Sequence, residues 1–162
     1  MYTQRRICVF FALALFLWFN NLRAADFTPF RGEVNSSDIN LRADATIYSE
    51  SILKLNKQDS LEVVAEFYDW YKVRLPENTA VFIKKDYVAL AGEKSGRVRG
   101  NNVNIRLRPS DSSLIVGKVS RDETVNILTE EFGWYKIEAT KNSFGWIHKK
   151  FLDRVKAVDK KE

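Results

Sequence analysis

The feature that most constrains this chain is a stretch of sequence that occurs twice, at a fixed offset of 64 positions and without gaps. Residues 32–88 align with residues 96–152, and 13 of the 57 aligned positions are identical. Substitutions between the copies keep their chemistry, as in Val63 against Ile127. Such self-similarity indicates two copies of one structural unit. We therefore predict two domains of one fold, at residues 30–91 and 97–153, joined by a linker at residues 92–96.

Short stretches in which apolar and polar residues alternate recur in both copies, and long helical periodicity is missing. Examples are Leu61-Glu62-Val63 and its counterpart Val125-Asn126-Ile127. Alternation with a period of two between polar turns predicts half-buried antiparallel strands. About five strands fit into each copy, and a sheet of that size must curl to enclose a core. The sequence thus predicts an all-β fold of two small five-stranded barrels.

The two ends of the chain differ in composition from the repeat. Two arginines at positions 5 and 6 precede the apolar run Ile7–Phe19, and the small pair Ala24-Ala25 follows. This order is typical of a secretory signal peptide. We predict a signal peptide at residues 1–25 and an exported protein, periplasmic or associated with the cell envelope, with an uncleaved membrane anchor as the alternative. The charged segment 154–162 is predicted to be a solvated tail.

Composition excludes several classes of function. Without residues 1–25, the chain has 23 basic and 21 acidic residues, a net charge of +2, which is too small for a nucleic-acid-binding surface. The single cysteine, Cys8, lies in the predicted leader, so the remainder has neither a disulfide nor a thiol nucleophile. His148 is the only histidine and has no acid at metal-ligand spacing. No Gly-x-Ser-x-Gly motif is present, so we predict no enzyme, no cofactor and no metal site.

Four blocks in the second copy resemble, in their order and spacing, a bacterial SH3 domain. The blocks are Val103–Ser110, Val116–Val119, Gly133–Ile137 and Gly145–His148. Through the repeat the resemblance extends to residues 31–90, and it implies tandem SH3-like barrels. The first copy departs from the pattern: Leu53 replaces Gly117, Asp69 replaces Gly133, and Val81-Phe82 replaces Gly145-Trp146.

The best candidates for ligand binding are the paired tryptophans. Successive side chains of a strand point to opposite faces, so Trp70 shares a face with Lys72, and Trp134 shares one with Lys136. The charged neighbours indicate that this face is exposed to solvent. The resemblance implies that the first aromatic residue of each pair lies in a ligand groove. Alternatively, both tryptophans close the end of the barrel beneath a loop.

Other aromatic and basic residues extend this candidate site. Hairpin pairing would bring Trp146 and His148 toward Trp134, and the arginines are suited to bidentate binding of a carboxylate. The aromatic residues at positions 68 and 132 precede the tryptophans by two positions, where they either widen the surface or staple a turn. Structural packing is the alternative for Trp146. The complete set of predicted ligand-binding residues is Trp134, Trp146, Arg106, Arg108, Phe132, His148, Trp70, Tyr68 and Arg42.

Two functions remain. The resemblance implies an exported, non-catalytic binding module that recognises peptidoglycan peptides of the cell wall, with the second copy as the better binder. The alternative is an adaptor in the cell envelope whose barrels bind another protein. Peptide and protein grooves share the same chemistry, so the residues alone do not separate the two.

Overall fold

The computed structural model of the protein describes residues 27–155 and places fourteen strands in them. The predicted signal peptide and most of the predicted tail lie outside the described residues. The strands of the first repeat are β1 (Phe30–Val34), β2 (Ile39–Arg42), β3 (Ser51–Leu55), β4 (Ser60–Phe67), β5 (Trp70–Arg74), β6 (Ala80–Lys84) and β7 (Val88–Leu90). Those of the second repeat are β8 (Ser95–Val98), β9 (Val103–Arg106), β10 (Ile115–Val119), β11 (Thr124–Glu131), β12 (Trp134–Glu138), β13 (Phe144–His148) and β14 (Leu152–Arg154).

The two halves of this strand list are copies of each other. From β2 to β7, every strand has the same bounds as its counterpart in β9 to β14 once 64 is added to its residue numbers. A short 3₁₀ turn precedes the last strand of each repeat, at Lys85–Tyr87 and Lys149–Phe151. The prediction of an all-β fold is confirmed.

The two repeats do not form separate sheets, because each repeat contributes its last two strands to the sheet of the other. One seven-stranded sheet has the order β14-β1-β4-β5-β13-β2-β3, and the other has the order β10-β9-β6-β12-β11-β8-β7. We call each sheet, with the core that it encloses, a barrel. The first barrel therefore combines β1–β5 with β13 and β14 of the second repeat. The second barrel is formed by the continuous segment β6–β12.

This connectivity changes the division of the chain that the repeat suggests. The predicted linker at 92–96 does not separate the barrels: it falls at the hairpin between β7 and β8, which pair with each other in the second barrel. The chain passes between barrels at residues 75–79 and again at residues 139–143. These crossing segments lie side by side, since Leu75 N–H donates to the Ser143 carbonyl at 2.9 Å and Ala139 N–H donates to the Thr79 carbonyl at 2.8 Å.

A single hydrophobic cluster runs through both barrels. It contains fully buried side chains from the first barrel, such as Leu41 and Ile147, and from the second barrel, such as Ile83 and Ile137. A shared core of this kind couples the barrels, because opening one of them exposes apolar surface of the other.

The volumes of the core residues explain why the strands are exchanged. A Cβ atom built on Gly145 of β13 would lie 2.9 Å from Leu41 Cγ, 3.1 Å from Leu75 Cδ2 and 3.2 Å from Ile52 Cδ1. A larger residue at this position of the first barrel would thus force these side chains to move. In the second barrel the position of Gly145 is taken by the fully buried Val81.

Two of the three corresponding residues in the second barrel are smaller. By the repeat, Leu75 corresponds to Ala139 and Ile52 corresponds to Val116. If each repeat closed its own barrel, Val81 would be forced against the larger set and Gly145 would leave a void beside the smaller set. Both errors cost free energy in a core, so the side-chain volumes favour exchange.

Within residues 27–155, no helix is long and apolar enough to cross a membrane.

Cutting the chain between β7 and β8 tests the exchange. Residues 91–94 are exposed, so a protease site inserted there can be cleaved without loss of a core contact. We expect the two fragments to remain together in size-exclusion chromatography under native conditions, because each holds strands of both barrels. Separation of folded fragments without denaturant would show that each repeat closes its own barrel.

Filling the position of Gly145 tests the volume argument. We expect Gly145→Val to lower the free energy of unfolding by about 1–3 kcal/mol, the usual cost of overpacking a core. Urea denaturation followed by circular dichroism measures this loss. Val81→Gly tests the complementary void in the second barrel, and a neutral effect of both substitutions would contradict the argument.

Candidate ligand-binding groove

Strand exchange places residues of both repeats around Trp70. Trp70 begins β5 and His148 ends β13, and the two are direct neighbours in the antiparallel register. Their ring centroids are 5.4 Å apart with an angle of 60° between the planes. Phe151, in the turn that follows β13, lies 6.2 Å from His148, ring centroid to ring centroid. The end of the second repeat thus completes an aromatic surface that begins in the first.

These side chains line a groove of about 300 Å³, which we call the first groove. Its floor combines Trp70 with apolar residues, and its rim carries basic side chains. The lining residues are Asp38, Ile39, Asn40, Arg42, Ile47, Trp70, His148, Lys150 and Phe151. Trp70 is half-buried and Ile47 is largely exposed, so the groove is open to solvent.

Hydrogen bonds orient two of the polar groups. Nδ1 of His148 accepts a hydrogen bond of 3.3 Å from the backbone N–H of Lys150. Since Nδ1 accepts, the neutral imidazole carries its proton on Nε2, which is left to donate. Nη1 of Arg42 donates to the Ser49 carbonyl at 2.7 Å and so fixes the loop that forms one wall of the groove.

The repeat produces an equivalent second groove of about 200 Å³ around Trp134. Arg106 occupies the place of Arg42 and donates to the Ser113 carbonyl at 2.7 Å. Two substitutions change the chemistry: Lys84 stands for His148, and Asp111 stands for Ile47. Their ion pair, 2.9 Å from Lys84 Nζ to Asp111 Oδ2, lies above the indole, with Nζ 5.8 Å from the ring centroid.

This pair explains why the expectation of an exposed Trp134 is wrong. Trp134 is only 6% exposed, although Lys136 and Glu138 on the same face are half-exposed as the pleat predicts. Hydrogen bonding to Asp111, followed by its charge, raises the pKa of Lys84. Because the lysine comes from the other repeat, sequence order alone does not bring it to Trp134.

Trp146 also lies elsewhere than expected. Strand β13 pairs with β5 and β2, not with β12, so Trp146 faces Lys72 and Arg42 in the register and not Trp134. The indole lies 6.5 Å from the ring of Phe67, centroid to centroid. Trp146 is therefore part of the first barrel and lies outside both grooves.

The remaining predicted residues divide into paired and exposed ones. Arg108 forms an ion pair with Glu50, and this contact joins the equivalent loops of the two repeats. Tyr68 and Phe132 are 81% and 93% exposed at the tips of the β4–β5 and β11–β12 hairpins. Both have a positive φ, 48° and 49°, a conformation that bulky side chains rarely adopt. Only Tyr68 contacts another aromatic residue, Phe67, at 4.6 Å between ring centroids.

Residues of the first groove that sequence reasoning missed are Asp38, Ile39, Asn40, Ile47, Lys150 and Phe151. The repeat itself contained a signal for one of them, because Phe151 aligns with the aromatic Tyr87 of the other copy. Among residues 27–155, no group of three or more histidine, cysteine or acidic side chains is placed to hold a metal ion.

Removing the cover of Trp134 tests its role. We expect Lys84→Ala to raise the fraction of tryptophan fluorescence that acrylamide quenches, because the ion pair no longer shields the indole. Arg97→Ala is the matched control, since it also breaks an exposed ion pair, with Asp122 at 3.8 Å. Equal quenching in Lys84→Ala and the unmodified protein would assign the burial of Trp134 to the loop alone.

Two comparisons with known proteins bear on this architecture. The family model of the bacterial SH3 domain matches residues 101–153, which lie in the second repeat. The chain is also similar to the protein YrvJ of Bacillus subtilis (strain 168), which bears the name of an N-acetylmuramoyl-L-alanine amidase, at 21% identity over 157 residues. This alignment covers 90% of the chain and 29% of YrvJ. The chain thus contains a bacterial SH3 domain, as the blocks of its second repeat predicted.

Proposed function

We propose that the protein is an exported, non-catalytic binding module that recognises peptides of the bacterial cell wall through the first groove. The observation that carries this proposal is the difference between the two grooves. Trp70 remains accessible beside His148, whereas the ion pair of Lys84 and Asp111 covers Trp134. An accessible aromatic floor with a few convergent polar groups is the usual form of a small-ligand site.

The charges of the first groove favour a ligand with carboxylates. Arg42 and Lys150 contribute cations, and His148 offers a hydrogen-bond donor. The only acid in the lining, Asp38, is paired with Lys54 at 2.9 Å. Peptides with free carboxylates, such as the stem peptides of the wall, match this pattern through charge-assisted hydrogen bonds.

The comparisons support a role at the cell wall. A bacterial SH3 domain is present, and a relative of the whole chain bears the name of an enzyme that acts on N-acetylmuramoyl-L-alanine. The chain spans 29% of that relative, so the similarity supports a shared module and leaves catalysis to the relative.

The chemistry of the first groove also supports binding without catalysis. Nucleophilic hydrolysis requires a nucleophile hydrogen-bonded to a base that a third group orients. His148 is the only imidazole, and its Nδ1 is engaged with the backbone N–H of Lys150. In the part of the chain that the structure describes, no serine or threonine hydroxyl is hydrogen-bonded to this ring.

Exposed aromatic residues at the hairpin tips favour a second candidate function, an adaptor that binds another envelope protein. Phe67, Tyr68 and Phe132 are at least half exposed. Aromatic side chains in such positions are typical anchors of protein interfaces. In this function, Phe132 and Tyr68 bind the partner, and the first groove is secondary.

Co-sedimentation with purified, protein-free peptidoglycan tests the proposal. We expect the protein to be retained, and Trp70→Ala to weaken retention by more than about tenfold, because a buried aromatic anchor dominates such sites. Trp134→Phe is the matched control at the equivalent position and should retain full binding.

The outcomes separate the two candidates. Retention that is lost with Trp70→Ala and kept with Trp134→Phe supports wall binding in the first groove. Retention that neither substitution changes would place the ligand elsewhere on the protein. Absence of retention, with binding to an envelope protein that Phe132→Ser abolishes, would favour the adaptor.

A further inference from the structure

A separate cleft of about 500 Å³ lies at the seam between the two barrels. Side chains of β5 and β13 in the first barrel face residues of β10 in the second across it. The lining residues are Ala43, Lys72, Asn102, Ile115, Val116, Gly117, Lys118, Ser120, Asn142, Phe144 and Trp146. None of them lines the first groove. We call this space the seam cleft.

Small residues line the seam cleft at positions where the other repeat has large ones. Ala43 corresponds to Leu107 in the second repeat, and Gly117 corresponds to Leu53 in the first. The aromatic residue differs in burial accordingly: Phe82, the counterpart of Trp146, is 8% exposed, whereas Trp146 is half-exposed. The indole of Trp146 is thus more accessible than the ring of its counterpart Phe82.

Gly117 has a second role in shaping the cleft. A Cβ atom at this position would lie 2.3 Å from the carbonyl oxygen of Asn142, a distance that backbone atoms do not tolerate. The glycine therefore lets the crossing segment approach β10 and form the bridge between Gly117 and Ser143. This approach holds Asn142 at the edge of the cleft.

The lining combines an aromatic surface with cations and amides. Lys72 Nζ lies 4.6 Å from the ring centroid of Phe144 and 5.9 Å from that of Trp146, and Lys118 adds a second ammonium group. No aspartate or glutamate is among the lining residues. Within residues 27–155, the side-chain amides of Asn102 and Asn142 make no hydrogen bond to the protein. The cleft thus presents free donors, free acceptors and an excess of positive charge.

We propose that the seam cleft binds a sugar ring that carries a carboxylate. Sugar hydroxyls both donate and accept hydrogen bonds, as the asparagine amides and the Ser120 hydroxyl do. The C–H face of a sugar ring packs on the negative face of an indole. Lys72 and Lys118 then pair with the carboxylate. The volume of the cleft falls in the range of sites for small ligands.

Nuclear magnetic resonance titration of the purified protein tests this site with two probes. N-acetylmuramic acid and N-acetylglucosamine have the same ring, and the first carries an additional carboxylate-bearing lactyl group. We expect N-acetylmuramic acid to shift the indole N–H signal of Trp146 and to leave that of Trp70 unchanged. N-acetylglucosamine should bind about tenfold more weakly, since it lacks a hydrogen-bonded ion pair.

Two substitutions locate the binding. Ala43→Leu restores the side chain of the opposite side and should abolish the shift of Trp146, and Lys72→Gln should weaken binding of the acidic sugar about tenfold. Lys136→Gln is the matched control, because it makes the same change at the repeat-equivalent position and should leave binding unchanged. Circular dichroism verifies that each variant is folded.

The following results would overturn the proposal. Equal binding of the two sugars would show that the carboxylate is not recognised. A shift of the Trp146 signal that persists in Ala43→Leu would show that the sugar does not bind in the seam cleft. Absence of any shift with either sugar would show that the protein does not bind this class of ligand. The first groove shares no residue with the seam cleft. Failure of this proposal would therefore leave unchanged the test of peptidoglycan binding at Trp70, and failure of that test would leave this proposal unchanged.

Discussion

The rest of the structure depends on the packing of β13 against the core of the first barrel. A Cβ atom on Gly145 would lie within 3.2 Å of side-chain atoms of Leu41, Leu75 and Ile52, so a larger residue would force these side chains to move. The same place in the second barrel accepts Val81, because Ala139 and Val116 stand there for Leu75 and Ile52. Two repeats with the same strand pattern thereby become two distinguishable halves of one assembly. Packing density in protein interiors makes a difference of a few methyl groups sufficient to select between such arrangements.

Exchange decides which residues meet in each groove. His148 and Lys84 occupy equivalent positions of the repeat, yet each completes the groove of the other repeat's tryptophan. An imidazole leaves one indole accessible, and an ammonium paired with a carboxylate covers the other. The protein thus has two grooves of common design, of which one is open. The copies differ at these contacts, while the bounds of their strands have stayed in step.

The strands themselves were predictable from the sequence, because alternation in burial depends on neighbouring residues along the chain. The pleat of β12 was predicted correctly for Lys136 and Ile137, which are half-exposed and buried respectively. Trp134 and Trp146 were placed wrongly because their surroundings depend on which repeat supplies β6 and β13. That choice is encoded in the volumes of Gly145 and Val81, residues distant in sequence from the side chains they accommodate. The seam cleft likewise depends on residues that are distant from one another in sequence, so no local sequence pattern predicted it.

Strands β1 and β14 pair antiparallel, so the two ends of the described chain leave the first barrel side by side, with Val155 N–H bonded to the Arg31 carbonyl at 2.9 Å. Tension applied between these ends loads the ladder of β1 and β14 one hydrogen bond at a time. The second barrel lies entirely between the two crossing segments and carries no load until the first has opened. Under mechanical stress the first barrel is therefore loaded before the second, and Trp70 and His148 are pulled apart as it opens.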